Sequence, residues 1–210
     1  MPSQAIDYSD HHRTVIGYHG TDMAAAERLV SGEEFQPSDA DNEWFGKGVY
    51  FWEHAFKQAW RWSRDYKRFG RPAVVGAVIR LGNRLDLVDP GNVTVFREFS
   101  RALLDDYARA KVAPPRNFRT HKRLDCAVFN YMYGHLERAN RPLDTARAVY
   151  YPLSGARRVV KGSWISEETH IQICVRNPRS VLAVWHVRED GRHGRRTAGV
   201  GAPDRPGGAG

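Results

Sequence analysis

Trp44-Phe45-Gly46-Lys47-Gly48-Val49-Tyr50-Phe51 is the stretch on which the reading of this chain turns. Two glycines flank a lysine, and a β-branched residue and two aromatics follow. Glycine spaced in this way permits a turn with positive φ and lets the backbone come close to a ligand. Val49, Tyr50 and Phe51 then favour a short strand. Such a strand either enters a core with Tyr50 buried, or leaves the turn with the Tyr50 ring set against a flat heterocycle.

Upstream, Thr14–Tyr18 reads as a central strand, and Tyr18-His19-Gly20-Thr21 closes it. Thr21 or Asp22 caps a helix expected from Met23 to Val30, with Ala25, Ala26, Leu29 and Val30 as its apolar stripe and Gly32 as its stop. A helix that opens just after His19-Gly20 offers its N-terminus to an anion. Glu33 to Glu43 is polar and acidic, and reads as a loop over a site.

Downstream, a helix is expected from Glu53 to Lys67, because Ala55, Ala59, Trp62 and Tyr66 recur on one face. Pro72 to Leu81 is the clearest strand, apolar enough to be buried on both sides. Leu85–Val88 is a short strand between turns. Val93 to Ala110 reads as a helix stopped by Pro114-Pro115, and Cys126 to Arg138 as a second amphipathic helix. Ala148–Tyr151 and Thr169–Val175 read as strands. Val181–Val187 is expected to pair with Thr169–Val175 as the last strand. Ser154 to Ser166 reads as an approach loop, and the tail from 188 to 210 as a disordered, basic, Gly-rich segment.

The 210 residues predict one domain. No apolar run approaches the roughly 18 residues of a membrane span. Met1 to Arg13 lacks an apolar signal core, so a cytoplasmic protein is expected, with signal-less secretion left open. Cys126 and Cys174 make neither a disulfide framework nor a zinc site, and no metal is expected. The formal net charge is +8, which favours anionic partners. Arg109, Lys111, Arg116, Arg119, Lys122 and Arg123 follow one another with no acid before Asp125. They form either a nucleic-acid or target patch or a solvated basic loop.

Taken together, His19-Gly20-Thr21 and Gly46-x-Gly48-x-Tyr50-Phe51 resemble the poly(ADP-ribose) polymerase-like, or diphtheria-toxin-like, ADP-ribosyltransferases in a bacterial form. There a His-Gly-Ser/Thr at a strand end precedes Gly-x-Gly-x-Tyr-Phe and a helix, and Ala55, Lys57, Gln58 and Ala59 continue the match. The resemblance covers about 14–90 and 165–187. It implies an α+β fold of two small antiparallel sheets forming a split NAD cleft, with flanking helices. The catalytic domain would span 14–187, with 91–164 a helical insert of unknown role.

The activity so implied is mono-ADP-ribosyl transfer from NAD, as substrate, to a protein or nucleic acid, with release of nicotinamide and a possible toxin role. An NAD glycohydrolase, or an inactive module binding nucleic acid or ADP-ribose, are the alternatives. By the same resemblance, NAD binding falls to His19, Gly20, Thr21, Gly48, Tyr50 and Gln58. His19 would hold the adenosine-side ribose and Gly20 the carboxamide. Tyr50 would stack on the nicotinamide, with Trp60 or Trp62 as a second aromatic. Lys47 or Lys57 would meet the pyrophosphate or the target. The third catalytic position, a Glu in most of the family, falls on Gln172, with Glu168 and then Glu167 as fallbacks. His170 is either an orienter of the nucleophile or a structural strand residue. An amide holds a ribose hydroxyl but carries no charge.

Overall fold

The computed structural model describes residues 13–118, 121–151 and 157–187. Strand β1 (Thr14–Asp22) leads into helix α1 (Met23–Val30), whose N-cap Asp22 accepts a hydrogen bond from the Ala25 amide at 2.9 Å. Strand β2 (Val49–Glu53) follows the Gly46-Lys47-Gly48 turn. Helix α2 (Phe56–Arg61) runs directly into a π-helical turn (Trp62–Tyr66). Strands β3 (Pro72–Arg80) and β4 (Arg84–Asp86) come next, then the long α3 (Pro90–Ala110) and α4 (Arg123–Arg138). The described chain closes with β5 (Thr145–Tyr150), β6 (His170–Val175) and β7 (Val181–His186).

The α+β class holds, with all seven strands in one mixed sheet of order β4-β5-β6-β2-β1-β3-β7. Two separate sheets were expected. The halves are instead stitched together where β1 meets β2 at Gly17–Glu53 and Tyr18–Trp52. That seam is short. β1 pairs along its whole length with β3, from Thr14–Arg80 to Asp22–Pro72, and β2 pairs along its whole length with β6. Beyond Tyr18 and Trp52 the two central strands diverge.

Two further expectations change. β7 pairs with β3, not with β6. Both edges of β6 are already taken by β2 and β5, so the chain crosses at Asn177–Ser180 to the free edge of β3. The helix expected from Glu53 begins later, because Glu53 is still in the ladder opposite Ile171. The stretch 91–164 is only partly an insert, since β5 within it sits in the sheet between β4 and β6. The tail 188–210, Arg119 and the first part of the 154–166 loop lie outside the described residues.

Each sheet face is covered in parts. The α3–α4 hairpin packs Phe99, Leu103, Val128, Phe129 and Met132 against Ala146, Ala148 and Cys174. Farther along that side, α2 and the π-turn cover Trp52 and Val74. Helix α1 lays Ala26 and Leu29 on Ala73 and Val75 of the other side. The gap between the α3–α4 hairpin and the α2 segment is where the candidate site lies.

Candidate functional site

The site begins at the diverging seam. If the β1–β2 ladder continued, His19 and Gly20 would oppose Phe51 and Tyr50. Instead the His19 side chain fills the wedge, and its Nδ1–H donates to the Tyr50 carbonyl at 2.8 Å. A carbonyl can only accept, so the bond sets the tautomer and leaves Nε2 as a lone-pair acceptor. Phe35 and Phe51 pack edge-on and tilted against the ring, at 5.3 and 5.6 Å between centroids. Burial lowers the His19 pKa, and the bond to Tyr50 offsets this only in part. The imidazole is therefore neutral near neutral pH.

What holds the wedge open is the α2 segment. Gly20 is buried beneath it, and a Cβ there would collide with the Ala59 carbonyl and crowd Ser63 and Trp62. Ser63 donates from Oγ to the Thr21 carbonyl at 2.8 Å. The end of β1 is thus pinned to the helix rather than to β2.

On the other side of the wedge, the Gly46-Lys47-Gly48 turn and Tyr50 brace each other. The Tyr50 hydroxyl donates to the Gly46 carbonyl at 2.6 Å and accepts from the Phe45 amide at 3.0 Å. Gly46 sits at φ +70°, and the Asn130 side chain fills the space a Cβ would need. Asn130 Oδ1 also accepts from the Lys47 amide at 2.9 Å. So α4, outside the family resemblance, holds the turn. Burial pushes the Tyr50 phenol far above its ordinary value and the opposing Cys174 thiol up to about 12. Neither is a nucleophile.

Between these walls lies an inner cavity of about 250 Å³, lined among others by His19, Gly48, Tyr50, Trp52, Trp62 and Gln172. Gln172 stands opposite Trp52 in the β2–β6 ladder, and its amide has no hydrogen-bond partner among the described residues. Trp52, Trp62, Lys67 and Gln172 also line an outer chamber of about 630 Å³, so the two spaces adjoin. A further groove of about 400 Å³ between α1 and β7 holds none of the residues expected in the site.

Of the residues singled out by sequence, His19, Gly48, Tyr50 and Gln172 share the inner cavity. Gln58, Glu168 and His170 reach only the outer chamber. The Gln58 amide donates to the Glu167 carbonyl at 2.5 Å and is engaged there. Glu168 accepts from Arg157 Nε at 2.7 Å and from Ser166 at 2.7 Å, and the Arg157 guanidinium holds its carboxyl down at about 2. Gly20 and Thr21 line neither space. His170 donates from Nδ1 to the Glu168 carbonyl at 2.6 Å and stacks on Tyr150, and burial lowers its pKa.

The remaining alternatives separate. Trp62 lines both spaces, whereas Trp60 stacks on Phe56 away from them. Lys47 pairs with Asp39 at 3.0 Å, and Lys57 lies in a different depression beside His54 and Phe56. The lysine at the cavity is Lys67. Its amide donates to the Trp62 carbonyl at 2.8 Å, five residues back, and its Nζ sits 5.1 Å from the Trp62 ring centre. In an α-helix of about 3.6 residues per turn these two positions lie on different faces. The π-turn brings them together. A periodicity reading assigns Lys67 to the solvent face, and no local signal would have corrected it.

The basic patch divides. Arg109 pairs with Asp106, and Arg123 with Asp41 at 3.3 Å. Lys111, Arg116 and Lys122 have no acid partner among the described residues. The turn holding them meets the site at its rim. Lys122 donates from its amide to the Asn42 carbonyl at 3.2 Å, and Asn42 donates to His121 Nδ1 at 2.8 Å. Among the described residues no cluster of three or more His, Cys, Asp or Glu could hold a metal, and no helix is long and apolar enough to cross a membrane.

The chain is 29% identical over 193 residues to the uncharacterized protein MJ0359 of Methanocaldococcus jannaschii, spanning 82% of this chain and 87% of that one. No family model and no solved structure matches it.

Proposed function

We propose that the protein is an NAD-dependent mono-ADP-ribosyltransferase with the split cleft of that fold at its β1–β2 seam. The observation that carries the proposal is the meeting of His19, Tyr50 and Gln172, from three strands, on one cavity. Residues 31 and 122 positions apart share it only because the strands diverge there.

The residues fit such a substrate. A neutral His19 with a free Nε2 accepts from a ribose hydroxyl, which an imidazolium could not do. The walls of Tyr50 and Trp62 suit a planar pyridinium. Lys67 supplies a cation for the pyrophosphate. The Gln172 amide, unengaged, is available to the 2′-hydroxyl of the nicotinamide ribose.

In the reaction the bond between C1′ and the nicotinamide nitrogen breaks. Its electron pair goes to the ring nitrogen and neutralises the pyridinium, so expulsion needs no general acid. An acceptor lone pair then bonds C1′, and the acceptor loses one proton to water. The site's contribution is orientation, and stabilisation of the positive charge that develops at C1′. Gln172 stabilises that charge less than a carboxylate would.

The test uses NAD labelled separately in nicotinamide and in adenylate, incubated with the protein and a cell extract. Nicotinamide release with adenylate label on a macromolecule is expected, lost in His19→Ala and Tyr50→Ala. Release with free ADP-ribose alone assigns a glycohydrolase. Absence of both products, with the protein folded, removes the proposal.

A further inference from the structure

We infer that the mouth of the outer chamber is a groove for a single-stranded nucleic acid, and that this strand is the ADP-ribose acceptor; the second half rests on the transferase reading above. Two segments reach the chamber wall, and each carries an exposed aromatic ring among cations.

The first is the hairpin 157–166. Its pairing is tight: Val159 donates to the Ile165 carbonyl at 3.2 Å, Arg158 faces Ser166, and Glu167 donates back to Arg157 at 3.0 Å. Its base is locked to the chamber by Arg157–Glu168 and by Arg61–Glu167. Yet its side chains are turned outward. Trp164 is 81% exposed, Ile165 68% and Val160 65%. A contiguous exposed apolar patch of this kind marks an interaction site. The Arg158 guanidinium lies 5.6 Å from the Trp164 ring centre. Lys161 at the tip has no acid partner among the described residues.

The second is the turn between α3 and α4. It places the 65%-exposed Phe118 between Arg116 and Lys122, and is docked on the chamber rim through Asn42. Asn117 Oδ1 accepts from the Leu124 and Asp125 amides and fixes the turn to the start of α4.

The chamber between them is walled by Trp44, Trp52, Tyr66 and Tyr150. Two of its carboxylates are paired with cations, Asp65 with Arg64 and Glu168 with Arg157, while Glu43 accepts from the Ser38 hydroxyl. Its lysines, Lys67 and Lys122, have no acid partner among the described residues. Flat rings alternating with surplus cations match a strand that offers a base face and a phosphate in turn. A duplex keeps its bases stacked and its faces covered. An acidic peptide would meet the cations but leave the rings without flat partners. Gln172 lines both spaces, so a base or sugar hydroxyl held in the chamber meets C1′ beside it, with the bond changes described above.

The experiment measures binding of the full chain to labelled mixed-sequence single-stranded DNA and RNA, without NAD, against the corresponding duplex and acidic vesicles. Expected are preference for single strands and a steep loss of affinity with salt. Lys161→Ala should lower the salt slope by about 0.7. Trp164→Ala should weaken binding roughly tenfold, with an unchanged melting temperature as evidence of folding. With labelled NAD added, the label should appear on the oligonucleotide. Absence of single-strand binding at low salt overturns the groove. Equal binding to duplex or vesicles does so too. Nicotinamide release with label confined to proteins overturns the acceptor assignment and leaves the transferase standing. Single-strand binding without any nicotinamide release supports the groove and refutes the transferase.

Discussion

Replacing Tyr50 by Phe separates the two things this residue does. The ring stays at the cavity wall, and only the hydroxyl is lost. That hydroxyl accepts from the Phe45 amide at 3.0 Å and donates to the Gly46 carbonyl at 2.6 Å. Phe45 is fully buried. Its amide would therefore be left without a partner and without water. Two neutral hydrogen bonds contribute about 1 kcal/mol each, and an orphaned buried amide costs up to about as much again. The expected loss is about 2–3 kcal/mol. At 2–4 °C per kcal/mol for a domain of this size, the melting temperature should fall by about 4–12 °C. Calorimetry gives the stability, and amide exchange gives the place, since opening should be local to 44–48. Nicotinamide release by Tyr50→Phe should stay within about tenfold of the unaltered protein, because the wall against the pyridinium remains, whereas Tyr50→Ala should abolish it. An unchanged melting temperature in Tyr50→Phe would refute the bracing role. Loss of activity in Tyr50→Phe equal to that in Tyr50→Ala would refute the assignment of the chemistry to the ring.

Arg147 is the next test of the frame: it forks onto Glu53 at 2.6 and 2.9 Å and onto Asp86 at 3.1 Å, all three nearly out of solvent. Arg147→Ala strands the buried Glu53 carboxylate and leaves Asp86 only Arg84, at 4.0 Å, and should cost about 3–5 kcal/mol by urea denaturation; a loss under about 1 kcal/mol would show that Glu53 finds another counter-charge. His19 is held below the ordinary imidazole value of 6.5, so its neutral form contributes stability that is complete above 6.5 and is lost as pH falls through the lower folded value. NAD affinity should follow the same course, and an NMR titration midpoint for His19 at or above 6.5 would contradict it. Glu168 has the same sense: the stability from its contact with Arg157 is complete above the ordinary carboxyl value of 4.5 and is lost as pH falls through about 2. The Arg157 amide, which donates to Glu168 at 2.9 Å, should titrate with that low midpoint. In Glu168→Gln the titration should vanish and exchange across 157–166 should quicken.

The amino-acid sequence by itself determined the elements with strong periodicity and clear stops. The α1 helix ran from Met23 to Val30 as read, because Asp22 and Gly32 state its ends locally. Pro72–Arg80 was legible as a doubly covered strand from its unbroken apolar run. His19, Gly48, Tyr50 and Gln172 were legible as a set only through the family resemblance carried by the two short Gly-containing motifs. Tertiary structure alone decided how these pieces meet. Which edge β7 joins depends on which edges other strands already occupy, and no pattern within Val181–His186 encodes that. The seam between β1 and β2 is short because Ser63 of the π-turn after α2 pins the Thr21 carbonyl, an interaction across 42 residues. Lys67 reaches the cavity because one π-turn changes the angular step of the helix, which residue periodicity assumes to be constant. Local hydrogen bonding and burial pattern act over a few residues and can be read from them. Edge occupancy, helix register and the opening of a cleft are properties of the packed whole.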